Sequence, residues 1–152
     1  MTISVIGLNH KSANIDIREK FSFTADSASL LLRRIKKVRD IIEVIVVSTC
    51  NRTEIYCESA NGSDDIKNWL LSEKEYKSFA KHLYIHEEED AIEHLFKVVA
   101  GLDSMVIGES EVLGQVKTAY KIALDNKSID GKLKRLFEYS FSVAKNVRTN
   151  TD

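Results

Sequence analysis

The chain has 152 residues, 43% of them hydrophobic and 30% charged, and its 22 Lys and Arg nearly balance its 23 Asp and Glu. That length suits one domain, which buries enough surface to fold without disulfide or metal staples. The composition excludes a disordered or fibrous chain, and a net charge of −1 confines any nucleic-acid surface to a local patch.

Residues 3–9 predict a short apolar strand. Thr24 is a helix N-cap with Asp26 in the first turn, and Leu31, Ile35 and Val38 line the inner face of a helix running to about Val38. Residues 41–48 are a near-continuous β-branched run, the pattern of a strand buried on both faces. After a break at Thr49, Cys50, Asn51 and Arg52, residues 53–59 alternate. Ile55 and Cys57 fall on one side and Glu54, Tyr56 and Glu58 on the other, which predicts a half-buried strand. A turn over 61–64, a helix over 65–71, a short helical piece over 76–80 and a fourth strand over 82–86 complete the first part.

This order predicts an α+β fold, a ferredoxin-like βαββαβ antiparallel sheet over about residues 1–86, with additional C-terminal helices over 87–152. Those helices span about 87–100, 109–126 and 130–150. With sheet order 4-1-3-2, and strands two and four both opposed to strand one, the Cys50 turn is expected at the same edge as the start of helix 87–100. Asn9, His10 and Lys11 are then expected at the opposite edge. No apolar run approaches the ~20 residues of a membrane span, and the N-terminus lacks the features of a signal peptide, so a cytoplasmic protein with reduced thiols is expected.

Cys50 sits where a buried strand gives way to a polar turn, so a rigid element holds a thiol that reaches solvent. Arg52 is a cation two residues on, suited to lowering a thiol pKa or binding a carboxylate. Placement alone also fits a small residue filling a strand end. Cys57, sharing a face with Ile55, reads as core. His82 and His86 are ~13 Å apart on a strand, too far for a metal pair, and no four-ligand zinc cluster is present. His10 reads as a loop residue. His94 lies off the Ile92, Leu95, Phe96 and Val99 stripe, which by itself fits a solvated helix position. The segment 101–115 carries Gly101, Gly108 and Gly114 but fits neither a dinucleotide fingerprint nor a P-loop. Gly114 inside a helix suggests close approach by another backbone. Basic residues over 33–39 and 115–152 suit either phosphate contact or a solvated face.

The run Ser48-Thr-Cys-Asn-Arg-Thr-Glu-Ile-Tyr56 resembles the cysteine motif of the glutamyl-tRNA reductase family. So do Gly7 to Ala13, Ile17 to Glu19 and the glycine-bearing stretch Gly101 to Lys117, in order along the chain. The resemblance implies NADPH-dependent reduction of glutamyl-tRNA(Glu) to glutamate-1-semialdehyde, the first step of tetrapyrrole (haem) synthesis. Cys50 would be the nucleophile that forms a thioester, Arg52 would grip the glutamate, and Thr49 and Asn51 would complete that site. His94 would be the histidine near the reacting centre. Ser104, Glu109, Ser110, Glu111 and Gln115 would be substrate contacts. Two positions depart from the pattern: Asn14 stands where proline is usual, and Glu111 where glutamine is common.

The resemblance further implies that NADPH is bound by a domain absent from this chain and that the full-length protein is a homodimer; with no ligand cluster in the sequence, no metal is expected. Glutamate-1-semialdehyde aminomutase would be a partner. These residues by themselves are expected to form or hydrolyse the thioester without reducing it. A tRNA-binding module and a thiol-dependent esterase are the alternative readings.

Overall fold

Strand β1 (Thr2–Asn9) lies inside a four-stranded sheet with β2 (Ile41–Ser48), β3 (Arg52–Ser59) and β4 (Tyr84–Glu87), in the order β2-β3-β1-β4. The structure is a computed structural model that describes residues 1–103 and 111–151, with side chains as far as residue 146. Helices α1 (Ile15–Lys20) and α2 (Ala25–Lys36) connect β1 to β2. Helices α3 (Ser63–Ser72) and α4 (Lys74–Lys77) and a 3₁₀ turn (Ala80–His82) connect β3 to β4. Then follow α5 (Glu89–Val99), α6 (Glu111–Asp125) and α7 (Lys132–Thr151). The fold is α+β, with the expected βαββαβ order and C-terminal helices.

Local chemistry explains the element ends. Thr24 caps α2 in a reciprocal capping box with Ser27. Asn14 caps α1, its side chain accepting the Ile17 N–H at 3.0 Å, so this residue starts a helix. Six residues are too few to show a periodic stripe, which is why α1 has no signature in the sequence. Gly62 enters α3 with φ 71, a left-handed conformation that favours glycine. His82 ends the 3₁₀ turn instead of opening the fourth strand.

The register corrects one expectation. All neighbouring strands are antiparallel, so β2, separated from β1 by β3, runs parallel to β1. The connection through α1 and α2 is a crossover, and a crossover returns the chain in its starting direction. The ends of β1 and β2 therefore share one edge: Asn9 pairs with Arg52, and Ser48 with Thr53. Asn9, His10 and Lys11 lie at the Cys50 edge, and α5 starts from the opposite edge and runs toward it.

A second expectation also changes. β3 is buried along its whole length, including Glu54, Tyr56 and Glu58. One sheet face, with Val46, Cys57 and Ile6, packs under α2 and α3. The other, with Val5, Tyr56 and Glu54, packs under α5 and α7, where Tyr56 meets Phe137 edge-on at 5.2 Å. The helices after residue 87 thus complete the core. They also cover the free edge of β2: the Val44 N–H donates to the Ser128 carbonyl (3.0 Å), and Ser128 Oγ donates to the Val44 carbonyl (2.7 Å). Among the described residues no helix is long and apolar enough to cross a membrane.

Candidate active site

The Thr49 N–H donates to the Arg52 carbonyl at 2.8 Å, closing a two-residue turn between β2 and β3 with Cys50 and Asn51 at its tip. Thr49 Oγ1 accepts the Asn51 N–H at 3.2 Å and stiffens the turn. Cys50 is exposed and Asn51 buried. Two buried strands therefore hold one accessible thiol. Cys57, by contrast, is fully buried, and burial pushes its thiol far up, so it stays protonated and inert.

Behind the turn lies a buried charge network. Arg52 is only 2% exposed, and its guanidinium reaches two carboxylates: Glu54 Oε2 at 3.3 Å and Asp103 Oδ2 at 3.0 Å. It also donates to the Asp103 carbonyl. Asp103 is shared with Lys11, whose Nζ lies 3.4 Å from Oδ1. Burial opposes ionisation of Asp103, but Arg52 outweighs it and holds its carboxyl below the usual range. Glu54 is fully buried and accepts from the Tyr56 hydroxyl (2.8 Å), the Tyr84 hydroxyl and His94. Burial alone would raise its pKa; His94, Arg52 and Tyr84 together bring it down to about 2. Burial and the same carboxylate raise both tyrosines, so their hydroxyls remain donors.

Over this network opens a cavity of about 630 Å³ whose wall includes Asn9, Lys11, Tyr84, His86, His94 and Asp103. Its floor is set by the turn after β1, where Asn9 Oδ1 accepts the N–H groups of Lys11 (2.9 Å) and Ser12 (3.2 Å). His86 lies against His94 with ring centroids 4.7 Å apart, and burial, with the nearby His94, lowers its pKa. The site thus combines an accessible thiol, a buried cation bound to carboxylates and a histidine bonded to a buried carboxylate. Such a set is equipped for acyl transfer from an anionic substrate.

A family model described as the N-terminal domain of glutamyl-tRNA(Glu) reductase matches residues 6–151. The chain belongs to the glutamyl-tRNA reductase family. The glutamyl-tRNA reductase of Aliivibrio fischeri (strain ATCC 700601 / ES114) is 43% identical over 156 residues, covering 100% of this chain and 37% of its own. That of Xylella fastidiosa (strain M12) is 44% identical over 151 residues, covering 99% and 34%. In structure, the chain is similar to glutamyl-tRNA reductase from Methanopyrus kandleri, with TM-score 0.76 and 25% identity over 97% of this chain and 34% of that one. The chain spans about a third of the length of these glutamyl-tRNA reductases.

The other candidate positions of the glutamyl-tRNA reductase motifs scatter more widely. Gln115 is half-buried on α6 and lines a small cleft with Ser48 and Thr24, beside the Cys50 turn. Glu111, one helical turn earlier, is exposed at the start of α6. Ser104, Glu109 and Ser110 lie outside the described residues. His94 is not a solvated helix position: its side chain is 11% exposed and bonded to Glu54. Gly114 does not meet another backbone; among the described residues, a Cβ there would meet nothing within 4 Å. Glu54 and Asp103 lie inside the family motifs without an assigned role, and Tyr84 and His86 lie outside them. The one available signal was Gly7, a glycine inside an apolar strand, which marks a close approach.

Proposed function

We propose that this domain performs the acyl-transfer half of glutamyl-tRNA reduction, in which NADPH-dependent chemistry converts glutamyl-tRNA(Glu) to glutamate-1-semialdehyde at the entry to haem synthesis. Cys50, as thiolate, attacks the aminoacyl ester. A sulfur–carbon bond forms, the carbon–oxygen bond to the terminal ribose breaks, and tRNA leaves with the proton on its hydroxyl. The product is a glutamyl thioester, a better acyl donor than the ester. The single observation that carries this reading is the exposed Cys50 at the tip of a rigid turn, in the cysteine motif of a chain of this family.

Arg52 binds the glutamyl side-chain carboxylate, which takes the place now held by the Asp103 carboxylate. One carboxylate for another keeps the buried guanidinium paired throughout, so the exchange strands no charge. Thr49 and Asn51 shape the turn around the acyl group, and His94 handles the proton. Ser104, Glu109, Ser110, Glu111 and Gln115 contact the substrate.

NADPH would supply the hydride needed to reduce such a thioester. The residues present do not fit that cofactor: the sequence has no Gly-x-Gly-x-x-Gly turn, and the described residues have no adjacent parallel strands to form a dinucleotide crevice. We assign NADPH to the part of the family's length that this chain does not span. These 152 residues by themselves then pass the acyl group to water, as a slow glutamyl ester hydrolase. We place the reaction in the cytoplasm, with a homodimer as the full-length unit and glutamate-1-semialdehyde aminomutase as the partner that consumes the aldehyde.

The test is acid-quench trapping of labelled glutamate on the protein after mixing with glutamyl-tRNA. Label on the parent chain that hydroxylamine releases, and that Cys50→Ser lacks, is the expected result. Label on neither, with tRNA still bound, would leave a recognition module.

A further inference from the structure

We infer that Glu54 fixes His94 as its Nε2–H tautomer, so that Nδ1 is the nitrogen that meets the reacting groups and Glu54 is the positioning residue of the site. This deepens the reading above and rests on it, since the role needs Cys50 to be acylated.

The argument starts from donors and acceptors. Glu54 Oε1 accepts from Tyr56, and Oε2 accepts from Tyr84, Arg52 and His94 Nε2. Both tyrosines and the guanidinium are donors, and an ionised carboxylate only accepts. The Nε2 atom must therefore carry a proton, and a neutral His94 has its lone pair on Nδ1. The low pKa of Glu54, about 2, keeps the carboxylate ionised at every working pH. Among the described residues, Glu54 from β3, Tyr84 and His86 from β4 and Asp103 after α5 act on His94, and Arg52 shares the Glu54 carboxylate with it.

The cradle is built for this carboxylate. Gly7 pairs with Glu54 on one side and Tyr84 on the other, so its missing side chain lets the tyrosine reach across β1. A Cβ at Gly7 would lie 2.8 Å from Glu54 Cγ and 2.5 Å from the Thr53 carbonyl oxygen. His94 meanwhile forms part of the cavity wall. Nδ1 takes the thiol proton from Cys50 to give the thiolate, which then forms the sulfur–carbon bond, and Nδ1 returns the proton to the ribose oxygen as the carbon–oxygen bond breaks. The proton moves from sulfur to oxygen through one nitrogen, and His94 ends with the protons it started with.

The experiment has two arms. Nitrogen-15 spectra of the histidine-labelled chain are expected to show His94 protonated at Nε2 and bare at Nδ1; the reverse would overturn the inference without any variant. Glu54→Gln can offer either an amide oxygen or an N–H to Nε2, so it admits the other tautomer. We expect the Nδ1–H form to appear and single-turnover labelling of Cys50, at saturating glutamyl-tRNA, to slow by about 10²–10⁴-fold. An altered tautomer with an unchanged labelling rate would also overturn it. Absence of label on the parent chain is a different failure: it removes the function reading and the catalytic role of Nδ1 together, even with the tautomer as expected.

Discussion

Glu54 and Glu43 sit on neighbouring strands, on the same sheet face, and both are buried, yet their partners differ in kind. Glu43 accepts from the backbone N–H groups of Asp130 (2.9 Å), Gly131 (2.9 Å), Leu133 (2.8 Å) and Lys134 (3.4 Å), which open α7. Burial and Glu43 raise the carboxyl of its neighbour Glu58, while Glu58 and the backbone donors outweigh burial and lower Glu43. Glu54 is held instead by side chains from three elements, two of which, Tyr84 and His94, stand in the wall of a cavity. A buried carboxylate held by backbone donors braces two elements together. One held by tyrosine, arginine and histidine sets the protonation and direction of groups that can meet a substrate.

The sharpest way to break this comparison is to remove each carboxylate. Glu54→Ala leaves Arg52 short of a partner, and Glu43→Ala leaves the first turn of α7 uncapped, so each is expected to cost about 3–5 kcal/mol in urea unfolding. Only Glu54→Ala should also abolish Cys50 labelling in protein kept folded by an osmolyte. Loss of labelling in folded Glu43→Ala would dissolve the distinction.

Acid sharpens it further. The folded Glu54 carboxyl, at about 2, lies below its ordinary unfolded value, so its contribution is present at neutral pH and is lost as pH falls from ~4.5 toward ~2. That contribution is roughly 3 kcal/mol. Glu58 has the opposite sign: raised in the fold, its contribution is present at low pH and is lost as pH rises through the raised value. Thermal unfolding should therefore show a flatter limb between pH ~2 and ~4.5 in Glu54→Gln, and in Glu58→Gln a smaller loss of stability as pH rises above ~4.5.

Gly7→Ala probes the cradle alone. The new methyl group has no space beside Glu54, so a loss of about 1–3 kcal/mol is expected together with slower labelling. A stable, fully active Gly7→Ala protein would show that the cradle need not be tight. Gly114→Ala supplies a reference on α6, away from both carboxylates: with open space around it, alanine should stabilise by about 1 kcal/mol and leave the acid limb unchanged.

Much of the architecture was legible because it is local. The capped helix at Thr24, the β-branched run over 41–48 and the break at Cys50 follow from spacing within a few residues. The half-buried reading of β3 failed because the helices that cover Glu54, Tyr56 and Glu58 come decades of residues later in the chain. His94 misled for a related reason: periodicity counts apolar neighbours, and its partner is a carboxylate on another element. The placement of Asn9 turned on strand direction, which the crossover sets and alternation does not reveal.

By itself the sequence determined which segments become strands and helices, where Cys50 turns out of the sheet, and which family motifs the chain carries. Those properties arise from backbone preference and from contacts between near neighbours. Only the tertiary structure decided that Asn9 and Lys11 join the Cys50 edge, that Asp103 occupies Arg52, and that Glu54 sits dry between two tyrosines and a histidine. Burial and charge pairing depend on what packs overhead, and the same glutamate is a solvated surface residue or the hub of a site according to what that is.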